Sequence, residues 1–238
     1  MATITIPARF NGPANSGNGG YSAGALAELV DGPARISLKA PPPLDTPLTV
    51  VGTGGDLAAT LNGSIILEAR PAVIPDPEVP AVPLAVAEDA SARYLGLTEH
   101  GAPTCFVCGT ARPDGMRIFP GPIGRDGVVA SPWTPHASFA DSTGHVETRV
   151  VWGALDCPGA WAAWASDDAG APYFPALAGM TATILKPIEV GVPHVVVARY
   201  SHTDGRKIST SAAIFTAEGD LRAHASHLEI KVPGDWAA

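Results

Sequence analysis

Four adjacent residues, Asn18-Gly19-Gly20-Tyr21, have the make-up of a cradle for a polarised carbonyl or an anion. Glycines let backbone N–H groups approach a ligand closely, and donors already fixed in place stabilise a developing oxyanion most. The same residues would serve as a plain glycine loop capping a helix, though the loop is longer than a cap requires. Two acids could position or deprotonate a water beside such a cradle, Asp156 and Glu28. Asp156 is equally suited to capping a helix, and Glu28 to a solvated helix position. Cys105-x-x-Cys108 invites a zinc reading. A structural zinc site takes four ligands, however, and only Cys157 and scattered histidines remain, so no metal is expected. The cysteines read instead as buried apolar residues.

Other chemistries lack their signatures. The seven histidines form no H-E-x-x-H or H-x-H pattern, and no G-x-S-x-G elbow precedes a helix. His224 and His227, three apart on the last strand, are expected on opposite faces, where one could meet a pocket. The GNGG of the first loop lacks the preceding buried parallel strand and the later acid of a dinucleotide fingerprint.

The elements that must position these residues begin with Val150–Ser166, whose single charge is Asp156. A helix apolar on every side belongs inside a protein. Proline is best tolerated in a first turn, so Pro158 places the helix start nearby, with Asp156 as N-cap. Tyr21–Val30 predicts a first helix, closed by Asp31-Gly32-Pro33. Thr3–Ala8, Ala34–Ala40, Leu48–Thr53 and Ser64–Ala69 read as strands, the last after an Asn62-Gly63 hairpin turn. Five prolines in Pro71–Pro83 predict an extended connector rather than a core element, and Leu84–Leu95 a surface helix. Cys105–Pro120 is expected to form strand, Pro-Asp-Gly turn and strand, with Gly127–Ser131 continuing the sheet. Past a small-residue loop, Asp167–Pro175, four extended runs end the chain: Thr181–Pro187, Val195–His202, Ser209–Thr216 and Leu221–Lys231.

With 238 residues, 46% of them hydrophobic, the chain has ample apolar surface for a core. A net charge of −8 without clustered Lys or Arg disfavours nucleic acid and anionic membrane surfaces. Met1–Phe10 alternates like a strand rather than a signal peptide, and no apolar run approaches the roughly 20 residues of a membrane span. Three cysteines suit a reducing compartment, so a cytoplasmic protein is expected.

The two halves repeat one order: strand, loop, buried helix, antiparallel strands. Ala34–Val51 resembles Ala182–Val197, and Gly17–Tyr21 echoes Val151–Leu155. A duplicated unit accounts for the length, residues 1–83 forming the first with its connector at 71–83 and residues 84–238 the second. On Phe10–Ala27, Cys105–Ile118 and Val150–Ala162 the chain resembles the hotdog superfamily in its fused double-hotdog form, and within it phenylacetyl-CoA-type acyl-CoA thioesterases.

That resemblance implies an α+β fold, each repeat a central helix wrapped by an antiparallel sheet. It also implies a His-Gly-Gly approach to the helix and an acid about two turns later. This chain keeps the glycines and has Asn18 for the His, while Glu28 lies one residue beyond the acid position, at Ala27. In the second half Trp152-Gly153-Ala154 fills the approach, and the acid position falls at Trp161–Ala162. The implied function is binding and hydrolysis of an acyl thioester by direct attack of water. Asn18, Gly19, Gly20 and Tyr21 would hold the carbonyl and Asp156 or Glu28 the water, the acyl group would lie near Trp152, Trp161 or Trp164, and Gly153 would also bind substrate. Coenzyme A enters as part of the substrate, with no separate cofactor, and a homodimer through sheet edges is compatible. The alternatives are a non-catalytic acyl-CoA or hydrophobic-ligand binder and, third, a hydratase or dehydratase using Asp141 and His145.

Overall fold

The computed structural model describes residues 2–74, 76–77, 79–124, 127–166 and 173–234. The first half supplies β1 (Ala2–Ile4), α1 (Gly19–Ala27), β2 (Ala34–Leu38), β3 (Leu48–Thr53), β4 (Asp56–Leu61) and β5 (Ser64–Pro71). A short helix, α2 (Leu84–Ser91), follows the proline-rich connector. The second half supplies β6 (Gly121–Ile123), β7 (Val128–Trp133), α3 (Thr148–Ser166), β8 (Tyr173–Ile184), β9 (His194–Asp204), β10 (Lys207–Thr216) and β11 (Leu221–Pro233).

All the strands join one antiparallel sheet in the order β1-β3-β4-β5-β2-β8-β11-β10-β9-β7-β6. Read outward from its middle, the sheet runs β2-β5-β4-β3-β1 on one side and β8-β11-β10-β9-β7-β6 on the other. Each half therefore builds the same meander after its helix. The seam is the β2–β8 pair, with Ala34 opposite Ala182 and Ile36 opposite Met180. Asn62 and Gly63 adopt φ of 50° and 81° at the β4–β5 turn, the left-handed pair that a two-residue hairpin demands.

The two long helices lie side by side and antiparallel within the sheet's curve. Gly20 and Gly24, one turn apart, face α3. A Cβ on Gly20 would meet the Trp152 carbonyl oxygen at 2.4 Å, and one on Gly24 the Arg149 Cα at 2.7 Å. Removing two side chains from one stripe is thus what lets the helix backbones touch. A second, smaller core lies apart from the helix layer, where Val79, Val82 and Ala87 cover Val195, Val197 and Phe215. The connector read as lying outside the core thus contributes two buried valines to it.

Three expectations are corrected. Helix α3 begins at Thr148, so Asp156 is its ninth residue and not its N-cap, and Pro158 is interior. The cost of that proline is local: it removes the N–H that would bond the Ala154 carbonyl, while the buried flanks hold the helix together. Residues 105–120 contain no strand; backbone bonds such as Met116 N–H to Phe106 O fold them into a compact loop, and the sheet resumes at Gly121. Helix α2 stops at Ser91 rather than Leu95. Of the loop expected at Asp167–Pro175, residues 167–172 lie outside the described residues and the rest begin β8. No described helix is long and apolar enough to cross a membrane.

Candidate functional site

A cleft of about 280 Å³ opens beside the start of α1. Its walls are the loop before α1, the turn after β2, the first half of β8 and the Asp156–Trp164 face of α3. Asn18 caps α1, its Oδ1 accepting the Tyr21 N–H at 2.9 Å. Its amide nitrogen donates to Asp156 Oδ2 at 3.1 Å, and the Gly20 N–H donates to the same oxygen at 2.7 Å. Asp156, only 8% exposed, therefore crosses from α3 to sit on the positive end of α1. Its Oδ1 has no hydrogen-bond partner among the described residues, and neither does the Gly19 N–H. Burial pushes the Asp156 carboxyl up to about 7; negative charge at Cys105 adds to the rise, and the Gly20 and Asn18 donors oppose it. Both protonation states are then within reach near neutrality.

Asn18, Gly19, Asp156 and Trp161 all line this cleft, and Gly20 meets it through Asp156. Trp164 joins Trp161, their rings edge to face at 4.5 Å, to give one wall an aromatic surface. The other expected site residues lie elsewhere among the described residues. Trp152 is buried between the helices, a Cβ at Gly153 would stand 3.4 Å from Asn18 Oδ1, and Tyr21 stacks on Phe10 at 3.9 Å. Glu28 sits at the far end of α1, bound through both oxygens to Arg149, with Nε to Oε1 at 3.1 Å. Asp141 is spent on its own turn, its Oδ1 accepting from Thr143 and from the His145 backbone. His224 and His227 are both buried, and His227 faces α3 beneath Gly159 rather than the cleft.

Cys105, Cys108 and Cys157, by contrast, come together at the cleft, their ligand atoms within 4.8 Å of one another. Hydrogen bonds from the other two thiols and from backbone N–H groups hold the Cys105 thiol well below its usual range. The spacing Cys105-x-x-Cys108 was a visible signal. That Cys157 would join it required the fold.

By sequence the chain matches no protein-family model and no curated protein. By structure, 97% of it superposes on a conserved protein of unknown function with hot dog fold from Alicyclobacillus acidocaldarius, covering 92% of that chain at 13% identity and a TM-score of 0.59. A protein provisionally named thioesterase II, from Thermobifida fusca YX, matches 96% of this chain and 92% of its own at 12% identity, with a TM-score of 0.60. The fold is a double hot dog.

Within the double hot dog the helices themselves fix the repeat register. Counting from the helix starts, Gly19 corresponds to Thr148, Gly20 to Arg149 and Ala27 to Asp156. The sequence pairing of Gly17–Tyr21 with Val151–Leu155 is therefore displaced. Asp156 thus lies two turns into α3, and its carboxylate reaches the start of the other helix through the Gly20 N–H.

Proposed function

We propose that the chain hydrolyses an acyl thioester, of coenzyme A or a similar carrier, in the cleft at the start of α1. The observation that carries this reading is the Asp156 carboxylate anchored on the Gly20 N–H, with its second oxygen unengaged, inside an apolar cleft. The thioester carbonyl oxygen would accept from the Gly19 N–H at the positive helix end, where a developing oxyanion is stabilised most. Asp156 Oδ1 would take a proton from a water as that water adds to the carbonyl carbon. Collapse of the tetrahedral adduct breaks the carbon–sulfur bond, and the departing thiolate takes up the proton. Trp161 and Trp164 would line the acyl group. The neighbour provisionally named a thioesterase agrees with this chemistry in name, and its likeness to the chain is one of fold.

The test is free-thiol release from a panel of acyl-CoAs of increasing chain length, with wild-type protein and Asp156→Asn. Release that disappears in the variant is the expected result. Acyl-CoA binding without release at any chain length would overturn hydrolysis and mark a ligand-binding protein.

A further inference from the structure

Beside the acid and the backbone donors, the densest chemistry in the molecule is sulfur. We propose that Cys105, Cys108 and Cys157 form a binding site for a thiophilic divalent cation, zinc foremost, whose fourth coordination position opens into the cleft.

The geometry is near what such an ion needs. Thiolates bound tetrahedrally at about 2.3 Å lie roughly 3.8 Å apart. Cys105 Sγ and Cys157 Sγ are 3.7 Å apart, and all three sulfurs fall within 4.8 Å of one another, so closure takes shifts of about an ångström. None of the three is in a disulfide.

The surrounding backbone is shaped for a ligand turn. Over Cys105-Phe106-Val107-Cys108-Gly109 the chain folds into a tight turn. Gly109 N–H closes the turn on the Cys105 carbonyl at 2.9 Å, and a Cβ at Gly109 would stand 2.4 Å from that oxygen. Only glycine fits there, and the result is a tight turn that carries Cys105 and Cys108 close together. Asn18 Nδ2 lies 3.5 Å from Cys157 Sγ and adds a side-chain donor. Outer bonds of this kind orient and stabilise metal-bound thiolates.

The fourth position is not taken by the nearest histidine. His100 Nδ1 accepts the Ala102 N–H at 3.0 Å, and its Nε2 lies 3.0 Å from both Tyr94 OH and the Cys108 carbonyl. Three protein ligands beside a cleft make an open site, able to hold water or an exogenous thiol, rather than a closed structural one. An occupied site would also tie the 105–109 loop to α3.

The full chain, reduced and stripped by a chelator, would be titrated with Co²⁺ under anaerobic conditions. One equivalent should produce a thiolate-to-cobalt charge-transfer band in the near ultraviolet and the intense visible bands of a tetrahedral ion, both abolished by Zn²⁺. Cys157→Ser should weaken uptake by more than the roughly 10–100-fold typical of losing an outer-shell partner. If that variant fails to fold, the wild-type titration decides alone. No charge-transfer band at stoichiometric Co²⁺, or a resting Cys105–Cys157 disulfide, would overturn the site. Adding free coenzyme A to the cobalt protein should strengthen the band, whereas an unchanged band would assign the fourth position to the protein and overturn its opening. These readouts are metal uptake and spectra, so they stand or fall separately from thioester hydrolysis.

Discussion

At the start of α1 the second helical residue is Gly20, and its N–H reaches Asp156 from the neighbouring helix. At the start of α3 the second helical residue is Arg149, and its guanidinium reaches Glu28. The two places are related by the same strand order and the same antiparallel helix pair, yet one is a cleft and the other an ion pair. Glycine at the first exposes backbone donors. Arginine at the second fills the corresponding space, lying over the Tyr21 ring at 5.9 Å. Burial pushes the Tyr21 hydroxyl up to about 12, so it stays neutral there. The repeated order thus gives two comparable helix starts, and two side-chain choices, Gly against Arg and Asp against Ala27, leave one of them open as a cleft with a carboxylate on its backbone donor.

The sharpest way to break this comparison is at Asp156. Asp156→Asn keeps the shape and should lower thiol release by about 10²–10⁴-fold, the range for losing a positioned general base. Retained turnover would move the chemistry away from the α1 start. Next comes the contact that brings the acid to the donor. Gly20→Ala would press a methyl against Trp152 O and Asp156 Cβ, at 2.4 and 2.5 Å. Both belong to a packed helix, so the cost should be about 3 kcal/mol of unfolding free energy, read from denaturant midpoints. For Gly19→Ala the nearest atoms are Leu177 at 3.0 Å and Asp156 Oδ2 at 3.3 Å, so it should be tolerated better. Equal losses for the two glycines would contradict close helix contact as Gly20's role.

Much of this was legible in the sequence, and the failures have physical causes. The β3 boundaries, the Asn62-Gly63 turn and the duplicated order follow from alternation and turn chemistry, which are local. The start of α3 was misplaced because Pro158 is a strong local stop signal. Burial overrides it, since the flanking Val150, Val151, Trp152, Leu155 and Trp161 bury their side chains in the helical register. With the start at Thr148, Asp156 lies two turns inside α3 rather than at its cap, which shifts the correspondence between the halves. The thiol cluster was out of reach for another reason: Cys157 is 52 residues from Cys105, and only the packing of the 105–120 loop on α3 brings them to 3.7 Å.

The halves also differ in what lies beneath their helices. The buried residues of β5 include Ile66, Leu67 and Ala69, whereas β11 buries His227 and Glu229 under Gly159 of α3. Thr210 Oγ1 bonds both, at 3.1 Å each. Burial lowers the His227 ring to about 4, against an ordinary value near 6.5. The folded state therefore favours the neutral ring. Its contribution to stability is complete above about pH 6.5 and is lost as the pH falls through about 4, amounting to about 3 kcal/mol. His227→Gln should flatten that part of the stability–pH curve in urea unfolding. Parallel curves for wild type and variant would remove His227 as the source of acid sensitivity in the second half.

The smallest expected effect lies at the closed end. The Arg149 and Glu28 side chains are 30% and 28% exposed, so their pair sits between a surface and a buried bridge. Glu28→Gln keeps one hydrogen bond to the guanidinium and should cost about 1 kcal/mol or less, visible as a small fall in Tm. Thiol release should not change, because the Glu28–Arg149 contact is at the opposite end of α1 from Asn18 and Gly19. This variant discriminates where Asp156→Asn cannot: if Glu28→Gln also abolished turnover, both helix starts would be working sites and the ion pair a reactive one. Unchanged turnover with lowered Tm makes the pair a clasp, holding the end of α1 against the first turn of α3 while the cleft forms at the other.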